Sequence, residues 1–577
     1  MQTILRFLKP YKRRCFFTLL VMLLDVAGGL LIPTITADMI NAGIHGENMA
    51  YLVRSGALML GVTIVTSLGA LLGSYLAADL SSKIGRDMRN AIYDKSLAFS
   101  SYDFEQFGTG SMITRTLNDV NVVQQGVVWF IQMVLPVPAV CMMGIVMAFA
   151  MDPMMGLLLA GATVLILLLA VFITRRASLI FDKLQKFLDR MNVVLRENVT
   201  GVRVIRAFNK EKLEEKRARK SFEEYAEAAI RANRLFAGLE SMALFAINLI
   251  IVAVLYLGGN RTGAGFMGIG DMTALTQYAM MILFYIIMAQ MVMILIPRAM
   301  ICVRRISEVL HLAPEIQDGA APAGGCTKQT KDVIRFNKAG FRFADADENT
   351  LENLDFACKR GETTALIGST GSGKSTIAKL ILRFHDVTDG SVLLNGREIR
   401  DMTQKELREH ISYVAQKAWL FSGTVADNLR YGNRLATEQQ MKHALSVAQS
   451  EFVYGLPGGL HARVSQGGTN FSGGQKQRLS IARALMKKAD LYIFDDSFSA
   501  LDFKTDAALR KARAEEVKDA AVLIIAQRIS TILNAQQIVV LEEGRVVGIG
   551  DHDFLMRTCP VYQDIAKSQM KGGGNHG

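Results

Sequence analysis

Apolar residues gather before about residue 300, in runs of roughly 20 positions or more, several of them without a charge, the length at which a helix spans a hydrocarbon core. Six runs stand out, at 15–37, 55–78, 127–150, 155–174, 241–259 and 272–297, and they predict six transmembrane helices. Connections after the first, third and fifth runs are short and poor in Lys and Arg. Those after the second and fourth carry Lys83, Arg86, Arg89 and Lys95, then Arg175, Arg176 and Lys183. That asymmetry puts both termini on the cytoplasmic side. From about 176 to 234 the chain is charged, Ala-rich and nearly free of Gly and Pro, which favours helix. Helices two to five are therefore expected to continue well beyond the bilayer, with tips that contact another domain. Two stretches, FGTGSMITRTLNDV from Phe107 and GVRVIRAFNKEK from Gly201, mix apolar and polar residues at bends. Short docking helices have that pattern, as do amphipathic loops packed on their own protein.

The pattern changes after about residue 302. GAAPAGG lies in a small-residue linker without apolar periodicity, and a soluble domain begins beyond it. The expected organisation is a transmembrane domain at 1–310, a linker at 311–332 and a nucleotide-binding domain at 333–577.

Composition sharpens this reading. The net charge of +12 could signal nucleic acid, yet Lys and Arg cluster beside the apolar runs, where a lipid bilayer explains them better. Six cysteines show no CxxC or Cys/His spacing, which argues against a zinc site or a disulfide framework. The opening MQTILRFLKPYKRR lacks a cleavable-signal layout and reads as an amphipathic lead-in on the cytoplasmic surface.

Within the spans, Asp25 is the clear intramembrane acid, a functional candidate because burying an ionisable group there is costly, although hydrogen bonds inside the bundle could equally employ it. Met280, Met281, Met288, Met291 and Met293 enrich the sixth span in thioethers, which suit an adaptable binding surface as well as a core or lipid-facing position. In the soluble half, strand-like TALIG enters GSTGSGKST and then the helical IAKLILRF. This is a P-loop layout: Gly368, Ser369, Thr370, Gly371, Ser372, Gly373, Lys374, Ser375 and Thr376 cradle phosphates, with Lys374 on the terminal phosphates and Ser375 on magnesium. FSGGQ follows, with Ser472, Gly473, Gly474 and Gln475 opening a helix whose free N–H groups favour phosphate. In LYIFDDSFSALD an apolar strand ends in Asp495 and Asp496, the first suited to a magnesium ion.

Together these motifs resemble the type IV ABC exporter family, over essentially the whole chain: an α-helical six-span transmembrane domain followed by an α/β P-loop ABC nucleotide-binding domain. The resemblance implies ATP and Mg2+ as cofactors, Gln416 as the Q-loop residue touching magnesium and the membrane domain, Asp495 as the end of the Walker B strand, and Ser499, Ala500, Leu501 and Asp502 as the D-loop. Phe343 falls where the family has a tyrosine stacking on adenine, and a phenyl ring keeps the π face. Two departures matter more. Asp496 stands where the family has Glu, one methylene shorter, and Gln527 stands at the switch His, neutral where imidazole can carry charge. A misplacement of about 1 Å can cost roughly 10²-fold in rate.

In this family each of two ATP sites combines the P-loop, Walker B and switch of one chain with the signature of the other. An impaired site beside an intact FSGGQ therefore resembles one partner of the bacterial heterodimeric ABC multidrug exporters. The implied function is ATP-driven export of amphipathic, drug-like compounds across the bacterial cytoplasmic membrane, with a second ABC half-transporter as partner and no role for nucleic acid. A homodimeric exporter of lipid or peptide that hydrolyses slowly stays open. A nucleotide-gated channel or regulator would need a continuous polar face along a span, and none stands out.

Overall fold

The computed structural model describes residues 2–44, 49–319, 330–344, 346–499, 507, 509 and 516–572. The chain forms two compact units, Met1–Ala98 with Phe107–Ala313, and Phe99–Gln106 with Pro314–Gly577.

In the first unit, among the described residues, six helices are long and apolar enough to cross a membrane: Thr3–Gly43, Met49–Leu97, Thr109–Met151, Pro153–Phe172, Leu244–Gly263 and Ile269–His311. Several greatly exceed a bilayer. Met49–Leu97 has 49 residues, about 74 Å at the rise of an α-helix, against a hydrocarbon core of about 30 Å. Pro153–Thr200 and Glu211–Gly263 are as long.

Small residues let these helices approach closely, as expected where lipid removes the hydrophobic drive between spans. A Cβ added at Gly28 would lie 1.9 Å from Thr66 Cγ2, and one at Gly144 would lie 2.9 Å from Ile282 Cδ1. Tyr278 is fully buried and pairs its hydroxyl with Thr34 Oγ1 at 2.6 Å. Between the third and fourth spans, Asp152 caps its helix by accepting from the N–H groups of Met154 and Met155, and it also accepts from Arg261 Nε at 2.7 Å.

The two mixed stretches turn out differently. Val202–Ala207 is a short helix between two long ones, as the sequence from Gly201 suggests. The stretch from Phe107 is a correction, because its residues from Thr109 enter the third long helix. The short helix is instead Ser101–Phe107, just before it. Its start is a reciprocal cap in which Asp103 Oδ2 accepts from Ser100 N–H and Ser100 Oγ accepts from Asp103 N–H. Gly108, at φ +72°, ends it. Ser100 and Asp103 at capping-box spacing were the legible signal.

The second unit contains strands β1 (Asp332–Phe341), β2 (Leu351–Lys359), β3 (Thr363–Gly368), β4 (Asp389–Leu394), β5 (Arg397–Glu398) and β6 (Ile411–Val414). After β7 (Gly423–Thr424) and β8 (Arg463–Val464) come β9 (Leu491–Asp495), β10 (Ala521–Ile525), β11 (Gln537–Glu542) and β12 (Arg545–Gly550). A six-stranded sheet runs β12-β11-β3-β10-β9-β6, beside a four-stranded sheet β2-β1-β4-β5. Strands β11, β3, β10, β9 and β6 are mutually parallel, and AVLII of β10 is buried throughout, the unbroken apolar run that a strand covered on both faces requires.

Candidate functional site

Open parallel sheets take ligands beyond the carboxyl ends of their strands. Here Ile525 on β10 pairs with Leu366 on β3 and with Asp495 on β9, so Gly368, Asp496 and Gln527 leave the sheet at one edge.

The loop after β3 crests at the exposed Ser369, Thr370 and Gly371, turns in at the buried Ser372, and enters helix Lys374–Ile381 through Gly373. Gly371 and Gly373 have φ of +89° and +92°. Side chains are disfavoured there, and such turns let successive N–H groups converge on an anion. At Gly373 a Cβ would also lie 2.5 Å from Leu351. Lys374 Nζ donates to the carbonyls of Gly368 and Ser369 at 2.8 and 2.7 Å. Burial lowers its pKa, and the charges of Asp496 and Asp495 oppose that fall.

Ser375 Oγ donates to Asp495 Oδ1 at 3.2 Å, with Thr376 beside it on the same helix. Tyr413, at the end of β6, donates to the other oxygen of Asp495 at 3.3 Å. Burial raises the Asp495 pKa, and these two hydrogen bonds work against it. Hydroxyl and carboxylate oxygens this close fit a Mg2+ ion, which takes one or two protein oxygens and completes its shell with phosphate and water. Sequence reasoning missed Tyr413, since a strand tyrosine is ordinarily a packing residue.

Asp496 adopts φ +45°, a left-handed backbone that Asp tolerates better than most residues. Its N–H donates to Ile525 O at 2.8 Å, and Ser499 Oγ donates to its carbonyl at 2.9 Å. Burial pushes its carboxyl pKa up, against hydrogen bonds from Ser499 and Gln416. Gln416 stands in the exposed turn after β6, near enough to lower the Asp496 pKa. Ala500, Leu501 and Asp502 lie outside the described residues.

Gln527 follows β10 with its side chain exposed. Phe343 is half-buried, edge-on to Phe341 at 4.8 Å and to His385 at 5.4 Å. Its neighbour Arg342 lines a cavity of about 1040 Å³ that also reaches Gly371 and the Glu542–Arg545 turn, which links the Phe343 region to the phosphate loop.

The FSGGQ stretch is separate from this edge. Helix Gly473–Leu485 is capped by Ser472, whose Oγ accepts from Gln475 N–H at 3.3 Å while Gln475 Oε1 accepts from Ser472 N–H at 2.9 Å. Gln475 thus serves the cap. Ser472 and Gly473 are exposed, and Gly474 is half-exposed. The helix is tied to β6 by Ser412 Oγ donating to Ala484 O at 2.8 Å.

In the first unit Asp25 is half-buried on the first span, with Tyr285 of the sixth within electrostatic reach. Met280, Met291 and Met293 are exposed, whereas Met281 and Met288 are half-buried. Met293 lines an apolar cavity of about 260 Å³ with Leu167, Val171 and Ile286.

Residues 15–287 match the family model for the ABC transporter transmembrane region, and residues 351–499 match that for the ABC transporter. An uncharacterised ABC transporter ATP-binding protein of Mycobacterium tuberculosis is 36% identical over 573 residues, covering 97% of each chain. An ATP-dependent lipid A-core flippase of Albidiferax ferrireducens is 28% identical, covering 98% of this chain and 97% of its own. The putative multidrug export ATP-binding/permease protein YgaD of Bacillus subtilis is also 28% identical, covering 98% of both. Among solved structures, a bacterial Atm1-family ABC exporter with ATP bound superposes with a TM-score of 0.82 at 24% identity, over 97% of this chain and 98% of that one, a likeness of fold.

Proposed function

The chain belongs to the ABC transporter family, with exporter-type transmembrane and ATPase domains fused in one multi-pass membrane protein, and from that premise we propose that it is the degenerate-site subunit of a heterodimeric exporter. The observation that carries this reading is the contrast between one edge and one helix. The strand edge holds Asp496 and Gln527 where a catalytic Glu and a switch His are expected, while Ser472, Gly473 and Gly474 stand intact on an exposed, capped helix start. The first set serves an ATP on this chain's own P-loop, with Mg2+ on Ser375, Asp495 and Gln416 and the base on Phe343. The second serves an ATP held by the partner, where hydrolysis is fast.

Relatives named as a lipid A-core flippase and a putative multidrug exporter support amphipathic substrates with a large apolar part. The positive-inside pattern supports a bacterial cytoplasmic membrane location with both termini inside. The domain limits at about 310 and 332 belong to the same proposal, as does the D-loop role of Ser499–Asp502.

One observation favours a slow homodimer instead: Asp496 keeps a carboxylate at the site, on a backbone held by Ile525 and Ser499. Steady-state ATPase of the chain purified alone separates the two readings. Poor turnover that recovers on adding a second half-transporter is expected. Full basal and drug-stimulated turnover by the isolated chain overturns the heterodimer.

A further inference from the structure

The switch segment is gripped by a residue remote in sequence. Gln569 lies on the last described helix, Pro560–Gly572, and its side-chain amide makes two hydrogen bonds. Nε2 donates to the carbonyl oxygen of Gln527 at 2.7 Å, and Oε1 accepts from the N–H of Ile529 at 2.8 Å. In an extended chain the carbonyl of one residue and the N–H two residues on point to the same side, as in a sheet ladder. Arg528, between them, is extended at φ −107° and ψ +130°. The amide thus stands in for a neighbouring strand just where β10 has left the sheet.

The helix carrying Gln569 is fixed in turn. Tyr562, fully buried, shares a 2.8 Å hydrogen bond with His552 Nδ1, and Ala566 is buried on the same face. Gln569 itself is exposed, so its two bonds are made at the surface of an anchored helix.

We infer that Gln569 is a positioning residue for the nucleotide switch: it holds the chain from Gln527 through the extended Arg528 to the short helix that begins at Ile529, so that the Gln527 side chain is presented to the terminal phosphate of ATP. This rests on the reading of Gln527 as the switch residue and adds a group that touches no nucleotide. Past Ala526, whose N–H still donates to Leu366 O at 3.0 Å, the Gln569 amide takes up the carbonyl of Gln527 and the N–H of Ile529, and so fixes the direction in which the Gln527 side chain leaves the backbone.

The test measures the affinity of the full-length chain, in detergent or a lipid nanodisc, for a non-hydrolysable ATP analogue and for ADP. Gln569→Ala is expected to weaken binding of the analogue about five- to tenfold, the scale of one or two lost hydrogen bonds. ADP affinity should stay within about twofold, because ADP lacks the phosphate that Gln527 addresses. Gln569→Glu keeps the acceptor for Ile529 N–H but sets a carboxylate against the Gln527 carbonyl, and it should fall at least as far. In a Gln527→Ala background, Gln569→Ala should change nothing further. Equal losses for both nucleotides, an unchanged analogue affinity, or an undiminished loss in the Gln527→Ala background each overturn the positioning role. If Gln527→Ala alone leaves analogue affinity untouched, the switch assignment fails and this inference falls with it. If Gln527→Ala weakens the analogue and Gln569→Ala does not, only the positioning role fails.

Discussion

The two surfaces of the ATPase unit proposed to address phosphate are built in opposite ways. The strand edge is assembled from four separate segments: Lys374 and Ser375 after β3, Gln416 after β6, Asp495 and Asp496 at the end of β9, and Gln527 after β10. Its polar groups are already engaged with one another, Ser375 and Tyr413 with Asp495, and Lys374 with loop carbonyls. The signature is one continuous stretch whose donors are the first N–H groups of a 13-residue helix. An assembled site can lose one member and still bind, whereas a helix terminus presents its donors by virtue of its fold alone. On the proposed reading, that difference lets the chain's own catalytic edge drift while FSGGQ is kept.

The largest effect should come from the helix. Ser472→Ala with Gly474→Asp removes the cap and sets a carboxylate against an incoming phosphate. Losing preorganised donors of this kind typically costs about 10² to 10³ in rate. Steady-state ATPase of the assembled transporter should fall by that factor, while ATP binding to this chain's own P-loop holds. Retained turnover would mean that the signature does not serve the competent site.

Next comes Lys374→Ala, which removes the charged donor from the strand edge. Charge-assisted hydrogen bonds contribute about 1.5–3 kcal/mol, so ATP affinity at this site should fall about 10- to 100-fold. Equilibrium binding to the full-length chain measures it, and an unaltered affinity would remove the P-loop from the comparison.

Tyr413→Phe should act more gently, through magnesium. At 3.3 Å this hydrogen bond is a weak one, worth about 1 kcal/mol, so the Mg2+ concentration supporting half-maximal ATP binding should rise about fivefold. There is also a pH signature. Burial already raises the Asp495 pKa, and the Tyr413 hydrogen bond lowers it. Removing that bond raises the pKa further, so Asp495 stays protonated to a higher pH. Magnesium-dependent binding, which is lost as pH falls through that pKa, should then fail at a higher pH than in the parent protein. An unshifted acid limb would show that Tyr413 only packs.

Much of this was legible before any coordinates. Apolar runs of bilayer length marked the six spans, and GSTGSGKST between TALIG and IAKLILRF marked a strand-to-helix turn, because glycine at left-handed positions leaves a local trace. FSGGQ also carries its own cap, Ser472 with Gln475, inside five residues. What escaped was whatever depends on distant partners or on backbone angle. Tyr413 and Asp495 lie 82 residues apart and meet only through the pairing of β6 with β9. Gln569 reaches Gln527 from a helix that the motifs do not mention. The short helix at Ser101–Phe107 escaped for another reason: its capping pair was visible, but the glycines after Phe107 drew attention to the wrong side of the bend.

The smallest expected effect tests the comparison most sharply. Asp496→Asn keeps the side-chain size and the left-handed backbone, since Asn also accepts φ near +45°. It removes only the charge, and so only the ability to take a proton from water. If this edge is catalytically spent, turnover of the assembled transporter should fall by less than about threefold, far below the roughly 10²-fold or greater cost of losing a working general base. On the proposed reading the side chain is already compromised: it is a methylene shorter than the acid the family uses, and its backbone is pinned in the left-handed region by the hydrogen bonds to Ile525 and from Ser499. The measurement is ATPase of the Asp496→Asn complex beside the signature double mutant, under one set of conditions. Equal damage from the two would mean that both surfaces serve working sites, and the asymmetry, with the heterodimer argued from it, would give way to a homodimer with Asp496 as its base.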